Sequence, residues 1–200
     1  VLRIVTACLR LWPRAMRRRA AAWCVLALLG AALFGASPAQ AQGVELTSLK
    51  VQRQDGGLTL DFSANVVLPR VVDDALQRGV PLYFAVDATV YRHRWYWRDE
   101  RVSHAGRSWR LSYQPLSDSW RVTLVGGLAQ TYGSLSEALV ALSSLGRWKI
   151  ADASQLDADS RYYVEFNYRL DTSQLPRPMQ FGIGGQPEWS LGVERTLKLD

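Results

Sequence analysis

Apolar and polar residues alternate with period two over most of the chain beyond residue 43, a pattern that puts successive side chains on opposite faces of a strand. Leu49 and Val51 begin a first strand and Asp55-Gly56-Gly57 signals a turn. Leu58, Leu60, Phe62, Ala64 and Val66 then alternate on the return, so the two segments read as a hairpin. A long strand starts at Val80, carries Leu82, Phe84, Val86, Ala88 and Val90 on one face, and runs on into Tyr91–Arg98. Trp109, Leu111 and Tyr113 continue the alternation, Ser117-Asp118 turns the chain, and Trp120, Val122 and Leu124 return it. Three consecutive antiparallel strands are predicted. Tyr162, Val164, Phe166, Tyr168 and Leu170 form a late strand, and Trp189, Leu191, Val193, Leu197 and Leu199 a last one.

Two stretches carry helical spacing instead. Pro69 opens Arg70–Arg78, with Val71, Val72, Ala75 and Leu76 on one face and Gly79 placed to end it. Ser134-Leu135-Ser136-Glu137 has the spacing of a capping box, Leu135, Ala138, Leu139 and Leu142 follow at helical intervals, and Gly146 supplies a stop. About seven strands separated by turn signals predict a mainly β fold, a two-layer antiparallel β-sandwich of the immunoglobulin-like kind with two short helices. The strand–helix alternation of a doubly wound nucleotide-binding fold is absent.

The first 41 residues follow another logic. Arg17, Arg18 and Arg19 precede an apolar run from Ala20 to Phe34, and small residues lead to Ala39-Gln40-Ala41. A basic start, a short apolar stretch and small residues two apart are the three parts of a cleavable secretory signal. Cleavage is expected after Ala41, with Met16 an alternative start and residues 42–200 a single β-rich domain. The apolar run falls short of the about 20 residues that span a bilayer, so no permanent membrane anchor is expected to remain.

Cleavage changes the composition. Of the 24 basic residues, six arginines (Arg3, Arg10, Arg14, Arg17, Arg18 and Arg19) lie in the leader, which has no acid. Taking six from 24 leaves 18 basic against 18 acidic residues, so the net charge of +6 belongs entirely to the leader. A neutral exported domain excludes the nucleic-acid partner that a pI of 9.6 suggests. Cys8 and Cys24, the two cysteines, also fall in the leader. The remaining domain therefore has no disulfide, thiolate metal site or cysteine nucleophile, and must be held by its core alone.

Two short segments carry a family resemblance. Trp109-Arg110-Leu111-Ser112-Tyr113-Gln114-Pro115-Leu116-Ser117 resembles the LRYH-L segment of the family called domain of unknown function 4390. Ser112 and Gln114 stand where that segment has Arg and His. Leu175-Pro176-Arg177-Pro178-Met179-Gln180, followed by Trp189, is similar to the family's Leu-Pro-x-Pro-Leu-Gln stretch, with Met179 in place of Leu. The order of leader, hairpin, short helix and Gly79-Val80-Pro81-Leu82 also fits, over roughly residues 44–200. The resemblance implies a bacterial exported protein and assigns no chemistry. Genes of such relatives near a sensor histidine kinase imply a membrane sensor as one candidate partner.

The most unusual composition lies in Tyr91–Arg98. On one strand, Tyr91, His93, Trp95 and Trp97 would share a face, with Arg92, Arg94, Tyr96 and Arg98 on the other. Flat rings stack on sugars or peptide side chains, and guanidinium forks bind carboxylates. Tyr91, Arg92, His93, Arg94, Trp95, Trp97 and Arg98 are the candidate site for an envelope protein or a cell-wall glycan. The competing expectation has the tryptophans packed under the helices and the arginines paired with Asp99 and Glu100. Leu175, Pro176, Arg177 and Pro178 form a second candidate partner segment, since a polyproline-like stretch is preorganised; it could equally guard a sheet edge.

Enzyme chemistry finds less support. His93 and His104 are the only histidines, 11 residues apart, with Asp87, Asp99 and Glu100 as neighbours. Zinc catalysis takes three protein ligands at set geometry, and no such pattern occurs, so neither a metal nor a cofactor is expected. A hydrolase centred on His93 or His104 lacks a G-x-S-x-G elbow. Gly182-Ile183-Gly184-Gly185 lacks the Lys-Ser/Thr and helix of a phosphate loop. The leading expectation is a non-enzymatic binding domain of the periplasm whose partner is an envelope protein. A glycan- or peptidoglycan-binding module comes second and a hydrolase third.

Overall fold

The opening hairpin forms from β1 (Val44–Gln54) and β2 (Gly57–Val66). Then follow α1 (Arg70–Gln77), β3 (Leu82–Arg92), β4 (Glu100–Gln114), β5 (Ser119–Leu124) and β6 (Ala129–Tyr132). After these come α2 (Leu135–Leu142), β7 (Ser144–Ala151), β8 (Tyr162–Leu170) and β9 (Gly192–Leu199). The structure is a computed structural model and describes residues 43–54, 57–96, 98–157, 160–176 and 186–199. Residues 1–42 with the expected leader, the Asp55-Gly56 part of the first turn, Trp97, Arg177–Gln180 and Gly182–Gly185 lie outside the described residues.

The fold is mainly β, as expected, with every strand pair antiparallel. Strands β1-β2-β7 make a small sheet, and β6-β5-β4-β3-β8-β9 a large one. Period two accounts for the layering. Leu82, Phe84, Val86, Ala88 and Val90 of β3 are wholly buried, and so, nearly, are Tyr162, Val164, Phe166, Tyr168 and Leu170 of β8. These two rows form the inner face of the large sheet. Phe62 of the small sheet meets Phe166 at 5.1 Å and Tyr168 at 5.6 Å between ring centroids. Ser103 Oγ in β4 donates to the Ile150 carbonyl of β7 at 2.7 Å, tying the layers together at another point.

Both helices close gaps around this core. Helix α1 buries Val72, Ala75 and Leu76. It ends where Gly79 takes φ +87°, with Gly79 N–H donating to Leu76 and Val80 N–H to Ala75. This is the paired bond set that a left-handed residue permits at a helix end. Helix α2 starts at Ser134, whose Oγ accepts from Glu137 N–H at 3.3 Å, and buries Ala138 and Leu142. Its C-terminal Leu142 carbonyl accepts from the buried Tyr168 hydroxyl at 3.5 Å.

The strand count differs from expectation: nine among the described residues, not about seven. Strand β6 has four residues and an exposed pattern with no alternation to detect. In β7 the alternation breaks because Arg147 adopts φ +50° and its N–H is drawn to Asp61 Oδ1 at 2.6 Å, with register shifts beside it. Gly146 therefore lies inside a strand and does not stop α2. The helix ends at Leu142, where Ser143 and Ser144 hydroxyls bond back to the Val140 carbonyl. At the other end of the chain, Trp189 occupies a buried 3₁₀ turn, Pro187–Trp189, and not the last strand. The first strand starts at Val44, five residues earlier than its periodicity shows, because a bulge between Leu46 and Ser48 interrupts the pattern.

Two stability outcomes follow from this core. Phe166→Ala is expected to cost about 3–5 kcal/mol in urea unfolding, whereas Val71→Ala on the half-exposed side of α1 stays within about 0.5 kcal/mol. Burial also pushes the Tyr168 hydroxyl well above its ordinary value of 10.0. The folded state then holds this proton more tightly than the unfolded chain does, so stability is full below about pH 10 and falls above it. A urea midpoint that stays level to about pH 10 and then declines, with a shallower decline in Tyr168→Phe, is the expected result.

Candidate functional site

The strand expected through Tyr91–Arg98 ends at Arg92. Register pairs Arg92 with Glu100, so the chain reverses across residues 93–99. Tyr91, His93 and Trp95 consequently do not share a strand face, and Trp97 lies outside the described residues. The physical cause is one carboxylate. Asp99 Oδ1 accepts from the Arg94 N–H and meets His93 Nδ1, both at 3.1 Å, and Asp99 Oδ2 accepts from the Tyr163 hydroxyl at 3.0 Å. A short polar side chain that captures a backbone N–H nearby offers the chain a turn in place of a ladder.

The base of the loop is pinned further. His93 N–H donates to the Arg161 carbonyl at 2.9 Å. Arg92 lies 3.4 Å from Glu100 and 2.9 Å from Asp157, and Arg94 pairs with Glu100. Tyr91 stacks on Tyr163 at 5.1 Å with planes 15° apart. The expected pairing of arginines with acids is therefore met by Glu100, joined by Asp157 from before β8; Asp99 is committed to the turn. The tryptophan half of that expectation is overturned at Trp95, which is 90% exposed. Tyr96 is 66% exposed and meets Trp95 edge to face, at 5.3 Å and 73°. Arg98 is exposed as well.

A single extra residue aims this loop. Val90 pairs with Ser103 but Tyr91 pairs with Arg101, so β4 carries Val102 as a bulge. Electrostatics follow the same contacts. The Arg94 amide, with the Tyr163 hydroxyl and His93, holds Asp99 below the ordinary carboxylate value of 3.8 against desolvation. Burial, reinforced by Asp99, pushes the Tyr163 hydroxyl up to about 12.

His104 lies elsewhere, on the outer face of the large sheet. Its Nδ1 is 3.1 Å from Thr89 Oγ1 and its Nε2 3.7 Å from Asp87 Oδ1, while Asp87 Oδ2 accepts from Arg169 at 2.7 Å. The two histidines thus serve separate acids. No group of three or more metal-ligating side chains occurs among the described residues. In the second candidate segment Leu175 is buried as a core anchor and Pro176 is exposed; Arg177 and Pro178 lie outside the described residues. No described helix is long and apolar enough to cross a membrane.

The profile of the family described as Domain of unknown function (DUF4390) matches residues 41–198. The chain belongs to this family. No curated protein and no solved structure matches it. Within this DUF4390 domain, Asp99, Tyr163, Asp157 and Tyr96 are the site residues that strand periodicity passes over. Asp99 stands just before β4 begins at Glu100, a start that the sequence pattern, which resumes only at Trp109, does not mark.

Asp99→Ala should release the turn without disturbing the core. Faster hydrogen exchange at the Arg94 amide and a Tyr163 titration moved from about 12 toward 10 are the expected readouts, by NMR and ultraviolet absorbance. Since Asp99 ionises below its ordinary range, the clamp holds at neutral pH and is lost only as pH falls through that lowered value.

Proposed function

We propose that this domain is a non-enzymatic binding module of the bacterial envelope, exported by its leader, that docks on another envelope protein through the β3–β4 loop. The observation that carries this reading is Trp95, 90% exposed at the tip of a loop whose base is pinned by Asp99 and Glu100. Trp95 and Tyr96 are exposed side by side, and Trp, Tyr and Arg dominate the energetics of protein interfaces. Export is supported by the leader and by the family match, which starts at residue 41, where cleavage is expected.

Ring geometry favours a protein over a glycan. Trp95 and Tyr96 stand 73° apart and make a wedge, and Tyr91 is stacked on Tyr163. A sugar-stacking platform uses open, roughly parallel faces; a wedge suits a pocket. Hydrolysis draws less support: Thr89, the hydroxyl in contact with His104, lies in β3 between β4 and β8, and a hydrolase needs free donors aimed at an oxyanion.

A photo-crosslinking residue placed at Tyr96 in the tagged full chain, in living cells, should join the protein to one specific envelope protein, while the same residue at Arg195 does not. Trp95→Ala should weaken that complex by about 30-fold, the scale of a 2 kcal/mol hot spot, with thermal stability unchanged. Retention on purified peptidoglycan that Trp95→Ala abolishes would transfer the site to the glycan reading. An intact leader on protein recovered from the cytoplasm would overturn the export part.

A further inference from the structure

The large sheet ends in two edges that differ in chemistry. Strand β9 carries Glu194, Arg195 and Lys198. In the small sheet, β1 carries Glu45, Lys50 and Arg53 with a bulge, and β7 carries Lys149 and the left-handed Arg147. Charges and bulges of this kind keep foreign strands from adding to an edge. Strand β6, Ala129-Gln130-Thr131-Tyr132, has no charge, no proline and no register shift.

The phase of its hydrogen bonds follows from two contacts. Val125 N–H donates across to Ser108 of β4, and Leu124 N–H donates to the Leu128 carbonyl. Alternate residues of a strand point their amides to alternate sides. Leu124, Val122 and Trp120 therefore face β6, where Gln130 and Tyr132 answer them. The N–H and C=O groups of Ala129 and Thr131 face outward, and both residues are exposed. Among the described residues no strand pairs with that side.

Beside this edge lies a groove of about 460 Å³ lined by Tyr132 and, from α2, Ser136, Glu137, Val140 and Ala141. Val140 is exposed, as are Val125 and Leu128 at the turn that leads into β6. Tyr132 pairs with the buried Trp120 and so shares the helix side of the sheet. A strand added to β6 would send every second side chain over Val140 and Ala141.

We propose that β6 and α2 form a second docking surface, which takes an extended segment of another protein as an added strand. The segment has aliphatic residues at alternate positions and a lysine or arginine to meet Glu137, the one charged residue lining the groove among the described residues. Main-chain bonds to Ala129 and Thr131 hold it, and the groove selects its side chains. A second copy of this chain fits less well. Two four-residue edges pair over only about 14 Å, too short for the roughly 1,200 Å² of a stable interface. This surface is independent of the β3–β4 loop.

The test is selection of a random nonapeptide library, displayed on phage, against the full chain. Enriched peptides are expected to alternate aliphatic and polar residues, to carry Lys or Arg, and to shift the amide resonances of Ala129 and Thr131. Thr131→Pro removes only an outward N–H, so the fold persists while affinity drops about tenfold, the loss of one main-chain bond. Val140→Lys should also weaken binding without touching the edge. Failure to enrich any peptide, or peptides that bind Thr131→Pro as tightly as the parent, overturns the proposal. Self-association in sedimentation that Thr131→Pro abolishes overturns it in favour of a second copy.

Discussion

Phe62 reaches from the middle strand of the small sheet to the rings of Phe166 and Tyr168 on the large one, and Tyr168 in turn stacks on Phe84. Cys8 and Cys24, the two cysteines, both precede β1, so no disulfide joins the two layers. Their separation and alignment rest on how these rings interlock, at the density of a protein interior. The surface features inherit their positions from that contact. Strand β8 brings Tyr163 to the loop and strand β3 carries the loop itself. Tyr168, also on β8, holds the last carbonyl of α2.

Much of this was legible in the chain. Leu82 to Val90 and Tyr162 to Leu170 read as half-buried strands because their inner faces are uniformly apolar and pair deep in one sheet. Gly79 and Ser134 marked helix ends because each supplies a bond or a backbone angle that few other residues can. Reading failed where tertiary contacts override local pattern. Strand β7 exists because β2 recruits it, across a kink at Arg147 set by an aspartate 86 positions away. Composition singled out the aromatic segment but did not reveal its shape. Whether Tyr91 to Arg98 continues as strand or turns back depends on Asp99 finding Tyr163, a partner from a distant strand.

The loop and the edge illustrate two ways of leaving a surface unfinished. At the loop, aromatic rings stand in water above a base whose His93 and Arg94 amides are bonded. At β6 the reverse holds, with modest side chains and open main-chain groups. The first kind recognises shape and the second recognises extended conformation. On the two proposals above, a domain with both would place two separate demands on its surroundings.

The bulge at Val102 has a consequence for the loop. Strand β4 changes parity there: Ser103 points inward to Ile150, while Arg101 joins Tyr91 on the outer face. Val102 is the surplus residue and packs against the core. Counting matters more than identity at this point, because one residue more or fewer between Glu100 and Ser103 would exchange the two faces. Arg101 would then turn inward, Glu100 would leave Arg92 and Arg94, and the wedge would lose its aim with every tip residue intact. The direction in which Trp95 is presented is thus encoded as a length in β4.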